Sequence, residues 1–237
     1  MKNIVIFSRC PSPWDSLFSE YFSEVQTQKL SEKDPSAIAK ADFLIADPLL
    51  LTLALVQKIR LSKNLKPQLR VFALGSIPKE YEDVFDAVLS EACGLFDFTK
   101  KVSEKLPLPD SVRLLVADDD PDILSMVSDY FEGRQSPSFE VLRAANGREA
   151  LEWVQKKRPD AMILDMKMPI MKGSELYLKL QKQEEKIPTI IFFDAISAED
   201  LDIVKKAGAP VIVEKGYRES SMPYLMALVK KLVYFAA

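Results

Sequence analysis

The feature that most constrains the fold is a short, wholly apolar run that ends in a single carboxylate. Residues 161–164 read Ala-Met-Ile-Leu, Asp165 follows at once, and Pro169 and Gly173 come shortly after it. An apolar run of this length predicts a strand buried on both faces, as in parallel sheets. Open α/β sheets bind ligands at the carboxyl ends of such strands. Asp165 is therefore expected at the mouth of a crevice, although an aspartate that only caps a turn would give the same local pattern.

Two further apolar runs also end in charged residues. The run at residues 112–117 is followed by the acidic residues 118–120, and the run at residues 210–213 is followed closely by Lys215. Adjacent carboxylates at a strand end repel one another unless a cation offsets their charge. An acidic cluster, a single aspartate and a lysine, each after a buried strand, therefore predict one shared charged site.

The second half of the chain, residues 112–237, alternates strands with amphipathic helices. Five strands alternating with five helices predict a doubly wound α/β domain with a parallel sheet in the flavodoxin-like order 2-1-3-4-5. The predicted strands are residues 112–117, 139–144, 161–164, 189–193 and 210–213, and the predicted helix caps are Asp120, Asn146 and Ser197. The side chains expected to converge are those of Asp118, Asp119, Asp165, Asp194 and Lys215.

Residues 111–235 resemble the receiver domain of two-component response regulators. In that family an aspartate at a strand end accepts a phosphoryl group from a histidine kinase or phosphotransfer protein. The resemblance implies that Asp165 is the phosphoacceptor and that Lys215 binds the phosphoryl group. It also implies Mg²⁺ as cofactor, held by Asp118, Asp119, Asp165 and the backbone carbonyl of Lys167.

Three positions depart from the family pattern. Asp194 stands where the family has a serine or threonine, Ile212 where it often has an aromatic residue, and Gly216 where it usually has proline. We interpret Asp194 and Ile212 as altered switch positions, because the phosphoryl-binding residues are present and the residues that report phosphorylation differ. The alternative for Asp194 is an ordinary solvated loop carboxylate.

The first half of the chain repeats the pattern of the second. Asp47 follows an apolar run as Asp165 does, and the two lie 165 − 47 = 118 positions apart. Residues 1–106 are therefore predicted to form a second flavodoxin-like domain with a five-stranded parallel sheet, similar to a receiver. A short linker at residues 107–111, stiffened by two prolines, is predicted to join the domains.

The phosphorylation chemistry is missing from the first half. Ser8 and Arg9 occupy the place of the acidic pair, and the lysine position lies near Glu91. Arg9 could pair with Asp47 and substitute for a metal ion. We therefore expect a degenerate pseudo-receiver that serves as a binding or dimerising module.

Composition excludes several functions. The 237 residues carry a net charge of −3, so neither half has the basic excess that DNA binding requires. No apolar run is long enough to span a membrane, and the densest, residues 49–56, predicts a buried or interfacial helix. The absence of histidine excludes a phosphohistidine carrier. Two cysteines, Cys10 and Cys93, are too few for a disulfide framework, which favours a cytoplasmic location.

The favoured function is a response regulator that signals through a downstream protein partner, with a homodimer as a further potential assembly. We expect no enzyme activity beyond self-phosphorylation and self-dephosphorylation at Asp165. One alternative is a scaffold that works without phosphorylation. Another is a phosphohydrolase with an Asp118-x-Asp120 motif, but helix capping already accounts for Asp120. The last helix, residues 219–235, is richly apolar and is predicted to form part of an interface.

Overall fold

The chain divides into two compact units, Met1–Pro107 and Leu108–Ala236. The computed structural model describes residues 3–7, 27–29, 36–89, 95–208, 210–216 and 221–236. Among these, no helix is both long and apolar enough to cross a membrane.

The first unit contains a five-stranded parallel sheet in the order β2-β1-β3-β4-β5. Its central strands are apolar and buried except for Arg70 at the start of one of them, as expected for a sheet covered on both faces. The rings of Phe43 and Phe72 stack at a centroid distance of 4.6 Å in this core. The strands are β1 (Ile4–Phe7), β2 (Thr27–Lys29), β3 (Phe43–Ala46), β4 (Arg70–Leu74) and β5 (Ala87–Leu89), and the helices are α1 (Ser36–Lys40), α2 (Leu53–Leu65) and α3 (Leu95–Ser103).

The helix predicted over residues 49–56 has other bounds, because α2 begins only at Leu53 and a short 3-10 helix precedes it. Asp47 caps a short 3-10 helix at Pro48–Leu50 by accepting a hydrogen bond from the backbone N–H of Leu49. Thr52 then starts α2 by accepting a hydrogen bond from the backbone N–H of Leu55. The threonine cap divides the apolar run because its hydroxyl satisfies a free N–H of the new helix.

The second unit has the predicted architecture. Its five parallel strands lie in the order β10-β9-β8-β6-β7, which is 2-1-3-4-5 when they are numbered from the start of the unit. The predicted flavodoxin-like fold class is therefore confirmed for both units. The strands are β6 (Ser111–Ala117), β7 (Ser138–Ala144), β8 (Ala161–Leu164), β9 (Thr189–Phe193) and β10 (Val211–Glu214), and the helices are α4 (Pro121–Glu132), α5 (Gly147–Lys156), α6 (Gly173–Lys182), α7 (Ala198–Ala207) and α8 (Met222–Ala236).

The three predicted helix caps are confirmed. Asp120 accepts hydrogen bonds from the first turn of α4, Asn146 from the first turn of α5, and Ser197 from the first turn of α7. Glu149 completes the capping box of α5 by accepting from the backbone N–H of Ala145 and the side-chain amide of Asn146. These caps fix where each helix leaves the strand end before it.

The same backbone pattern occurs in both units, at the offset that the sequence repeat predicts. In the first unit, Asp42 donates its N–H to the Asn3 carbonyl and accepts from the Asn3 N–H through its carboxylate. In the second unit, Asp160 makes the same two bonds with Arg113. Each aspartate thus fastens the start of the third strand to the first strand.

The last helix, α8, is buried over most of its circumference. Ten of its fifteen residues are buried, which exceeds the single stripe that a helix packed on one sheet requires. Within the second unit it packs against β8, β9 and α4. That this helix forms part of an interface stays a prediction.

Candidate functional site

The parallel ladder places three side chains at one edge of the second sheet. Asp118 donates its backbone N–H to the Ala144 carbonyl at 3.1 Å, and Asp165 donates to the Ala117 carbonyl at 2.8 Å. Lys215 donates to the Phe193 carbonyl at 2.7 Å. Each residue therefore extends the strand pairing by one step beyond its strand, so that its charged side chain lies at the edge of the sheet.

The ammonium group of Lys215 lies between two carboxylates. Its Nζ is 2.8 Å from Oδ1 of Asp165 and 2.9 Å from Oδ2 of Asp118. Oδ2 of Asp194 lies farther away, at 3.5 Å. The structure thus brings together four of the five side chains that were expected to converge.

The remaining oxygens of the two inner carboxylates are also occupied. Oδ1 of Asp118 accepts from the Asp120 backbone N–H at 3.0 Å, and Oδ2 of Asp165 accepts from the Lys167 backbone N–H at 2.5 Å. Asp118, Asp165 and Lys215 are all buried. Buried charges require partners of this kind, because desolvation of an unpaired carboxylate is costly.

Burial and pairing shift the protonation equilibria of this cluster. Burial raises the pKa of Asp118 above its ordinary value, although Lys215 and the Asp120 N–H act in the opposite direction. Burial lowers the pKa of Lys215, but its two carboxylate partners outweigh that effect and hold the pKa above its ordinary value. Lys215 is therefore a cation at neutral pH, and burial disfavours the charged form of Asp118.

Asp119 is the expected site residue that stays outside the cluster. Its side chain is exposed, and it makes no hydrogen bond or ion pair within the described part of the chain. Over the same residues, no group of three or more acidic or cysteine side chains is arranged closely enough to hold a metal ion. The oxygen donors nevertheless suit Mg²⁺ by type, and three aspartates around one lysine leave a negative excess.

The loop after β8 is shaped by a close backbone approach that only glycine permits. A Cβ on Gly173 would lie 1.9 Å from the backbone oxygen of Asp165, far inside any real contact distance. The Gly173 N–H also donates to the Met166 carbonyl at 3.2 Å. The start of α6 is thereby held against the backbone of Asp165. Sequence reasoning identified Gly173 as a loop marker but missed this support and the Lys167 N–H, because neither has a side-chain signature.

The two altered switch positions have different environments. Asp194 is 78% exposed, as a solvated loop carboxylate would be, yet it remains within ion-pair distance of Lys215. Ile212 is half-buried and packs against the hydrophobic core of the second unit. Gly216 has a φ of +85°, which proline cannot adopt, so the backbone after Lys215 takes a path closed to the family's usual residue.

The corresponding position in the first unit carries a capping residue. Asp47 donates its backbone N–H to the Phe7 carbonyl at 2.8 Å, just as Asp165 does to Ala117. Its carboxylate caps the 3-10 helix that follows. Ser8, Arg9 and Glu91, which were expected to replace the acidic pair and the lysine, lie outside the described residues.

Comparison with known proteins relates this geometry to one family. Residues 114–226 match the family model of the response regulator receiver domain. The transcriptional regulatory protein PrrA of Mycobacterium tuberculosis is 32% identical over 123 residues, which are 52% of this chain and 50% of PrrA. Sporulation initiation phosphotransferase F of Bacillus subtilis is 35% identical over 79 residues, which are 33% of this chain and 61% of that protein.

A solved receiver domain, that of the Francisella response regulator 1452, is 28% identical to this chain. The match covers 53% of this chain and 99% of that receiver domain, with a TM-score of 0.47. The chain spans about half the length of PrrA, and the family match begins after the first unit. Residues 114–226, in the second unit, are thus similar to the response regulator receiver domain.

Proposed function

We propose that the second unit accepts a phosphoryl group on Asp165 from a histidine kinase or phosphotransfer protein and signals through protein contacts. The observation that carries this proposal is the buried Lys215 ammonium, within 3 Å of both Asp165 and Asp118. A purely structural strand-end aspartate needs no buried cation between it and a second buried acid. Beyond phosphorylation and dephosphorylation of its own aspartate, the protein acts as a regulator and not as an enzyme.

The proposed reaction is a transfer to a carboxylate oxygen. An oxygen of Asp165 forms a bond to phosphorus, the bond from phosphorus to the donor breaks, and the donor keeps that electron pair. The Lys215 ammonium lies where it can neutralise part of the charge on the phosphoryl oxygens. The Lys167 N–H, which now holds Oδ2 of Asp165, orients the carboxylate.

Mg²⁺ is the proposed cofactor, and it would supply charge neutralisation for the phosphoryl group. Asp119, Asp165 and the backbone carbonyl of Lys167 would hold it, with Asp118 acting mainly through water. Asp119 is the ligand best able to respond to a cation, because its carboxylate is exposed and has no partner among the described residues.

We therefore expect magnesium to bind the wild-type protein weakly and the Asp119→Asn variant at least about tenfold more weakly. Loss of the charge removes a hard oxygen ligand without disturbing the buried ion pairs of Lys215. Isothermal titration or intrinsic fluorescence measures both affinities. A neighbouring exposed acid, Asp122→Asn, is the matched control, and equal magnesium affinity of Asp119→Asn and wild type would refute the site.

The second prediction concerns Asp194, which we propose weakens the phosphoryl-dependent switch. A hydroxyl in its place can donate a hydrogen bond to a phosphoryl oxygen, whereas an ionised carboxylate can only accept one. Because Asp194 is exposed, its repulsion of one phosphoryl charge at roughly 5 Å is only about 1 kcal/mol. Asp194→Thr should therefore raise the amount or lifetime of the phosphorylated protein roughly fivefold.

Intact-mass analysis at a fixed concentration of acetyl phosphate measures that change, and size-exclusion chromatography reports the accompanying change in shape. Asp194→Asn removes the repulsion without adding a hydroxyl and so separates the two effects. If wild type gains phosphate and changes shape as fully as Asp194→Thr, Asp194 is only a solvated loop residue.

A second candidate function is a scaffold that operates without phosphorylation. The observation that favours it is the ion pair between Asp194 and Lys215 at 3.5 Å, which could hold one conformation permanently. In that case the first unit, which we propose is a pseudo-receiver, and the second unit would both serve only as binding modules. Partner binding unchanged by acetyl phosphate and magnesium would favour the scaffold over the regulator.

A further inference from the structure

Helix α2 of the first unit exposes a continuous uncharged face. Its buried side consists of Leu55, Val56, Ile59 and Ser62. The opposite side, which we call the α2 stripe, consists of Leu53, Ala54, Gln57, Leu61, Asn64 and Leu65, all exposed. The three leucines of the stripe are between 58% and 78% exposed. An exposed leucine alone is ordinary, but three along one helix face are not.

The spacing of the stripe suits packing against another helix. Leu53, Gln57, Leu61 and Leu65 follow one another at intervals of four residues. Residues four apart form the ridge that fits the groove of a facing helix in the commonest class of helix packing. The stripe therefore presents a ready ridge for a helix that the described first unit does not supply.

The cations on one border of the stripe, Arg60 and Lys63, give no reason to expect an acidic partner or an anionic lipid surface. Arg60 forms a two-pronged ion pair with Asp83, and Lys63 pairs with Asp86 at 3.1 Å. The cations on that border are thus already neutralised within the unit. A facing surface that is itself uncharged suits the stripe best, because it leaves no charge buried without a partner.

A second copy of the stripe meets this requirement, and its area is sufficient for a weak dimer. The six exposed residues of the stripe present on the order of 500 Å² of uncharged surface per copy, most of it from the three leucines. Two copies would bury roughly 1,000 Å², which lies at the lower limit for a specific interface. An association of this size is expected to depend on protein concentration.

We propose that α2 docks against α2 of a second copy of the chain around a two-fold axis. In the antiparallel arrangement, Leu53 faces the partner's Leu65, and Gln57 faces the partner's Leu61. Such an interface is self-complementary, as two-fold contacts must be. The proposal goes beyond phosphoryl transfer and does not depend on it, since no residue of the stripe belongs to the second unit.

Lys58 lies on the other border of the stripe. Because of its charge, the effect of salt on association distinguishes a dimer from binding to an acidic partner or an anionic membrane. Lys58 is half-buried and has no ion pair among the described residues. Near a two-fold axis it would approach its own copy, and added salt screens this repulsion. The dimer should therefore persist or strengthen at high salt, whereas binding to an acidic partner or an anionic membrane weakens.

Sedimentation velocity of the full chain over a hundredfold range of concentration tests the proposal. Wild type should shift reversibly from monomer to dimer, Leu61→Glu should weaken dimerisation at least about tenfold, and Asp165→Asn should behave as wild type. Met126→Glu, which places the same charge on an exposed helical methionine of the second unit, is the matched control.

Three outcomes would overturn the proposal. They are a wild-type monomer at every concentration, a dimer that Leu61→Glu leaves intact, and equal weakening by Leu61→Glu and Met126→Glu. A monomer that binds phosphatidylserine vesicles through Leu61 would assign the stripe to a membrane surface instead. Circular dichroism of Leu61→Glu, whose altered side chain is exposed, verifies that a lost dimer is not a lost fold.

Discussion

Asp165→Asn should abolish the mass gain of one phosphoryl group when the protein is incubated with acetyl phosphate and Mg²⁺. An amide in place of the carboxylate cannot form the acyl phosphate, so the expected loss is complete. The amide keeps one oxygen, which can accept from the Lys167 N–H or from the Lys215 ammonium but not from both in the geometry of the carboxylate. Lys215 still pairs with Asp118, so the fold should survive. Intact-mass spectrometry of the acid-quenched reaction measures the result directly.

Asp47→Asn is the matched control, because Asp47 occupies the equivalent strand end of the first unit. Its carboxylate caps a 3-10 helix, so this variant should gain phosphate as wild type does. Phosphate on Asp47, or full phosphorylation of Asp165→Asn, would contradict the assignment of Asp165 as the phosphoacceptor.

Lys215→Met should reduce the free energy of unfolding by about 3 kcal/mol near neutral pH in the absence of divalent cations. Methionine has a similar length but no charge, so Asp118 and Asp165 would remain buried and repel each other without a cation between them. Urea denaturation with chelator present measures the difference.

The destabilisation should shrink as the pH falls. The pKa of Asp118 is already raised by burial, and loss of the Lys215 ammonium raises it further. A carboxyl group whose pKa is higher in the folded state binds more protons when folded, so acidification stabilises the folded state. The difference in the free energy of unfolding between wild type and Lys215→Met is therefore largest at neutral pH, and it decreases once Asp118 becomes protonated.

Lys206→Met serves as the control for this experiment. Lys206 pairs with Asp202 on the surface of α7, and both side chains are largely exposed. Removing such a pair should change stability by less than about 1 kcal/mol. If Lys215→Met proved as stable as Lys206→Met at neutral pH, the buried carboxylates would not depend on Lys215.

Local signals accounted for most of the element boundaries that could be predicted. Asp120, Asn146 and Ser197 were recognisable as caps because a capping side chain bonds to N–H groups within three residues. Thr52 carries the same kind of signal, but the apolar run around it concealed the signal, and the predicted helix began too early. Strand β8 was recognisable because burial on both faces demands an uninterrupted apolar run, whereas Glu140 and Arg143 interrupt the edge strand β7.

The sequence predicted the residues of the site only where a residue directly follows the end of a strand. Asp118 and Asp165 were expected to meet, because the ends of the adjacent strands β6 and β8 lie at one edge of the sheet. Lys215 follows β10, which β9 separates from β8. The sequence did not predict that the side chains of Asp118 and Asp119 point in different directions. Consecutive side chains of an extended chain point to opposite sides, so Asp118 enters the cluster and Asp119 faces solvent.

The sequence by itself thus determined the two flavodoxin-like domains, their strand order and the set of charged residues at the edge of the second sheet. Only the tertiary structure decided that Lys215 lies between Asp118 and Asp165, that Asp194 stays exposed beside it, and that Gly173 supports the backbone of Asp165. The physical reason is that strand order follows from local burial patterns, whereas side-chain contacts across a sheet edge depend on loop paths that bring distant residues within hydrogen-bond distance.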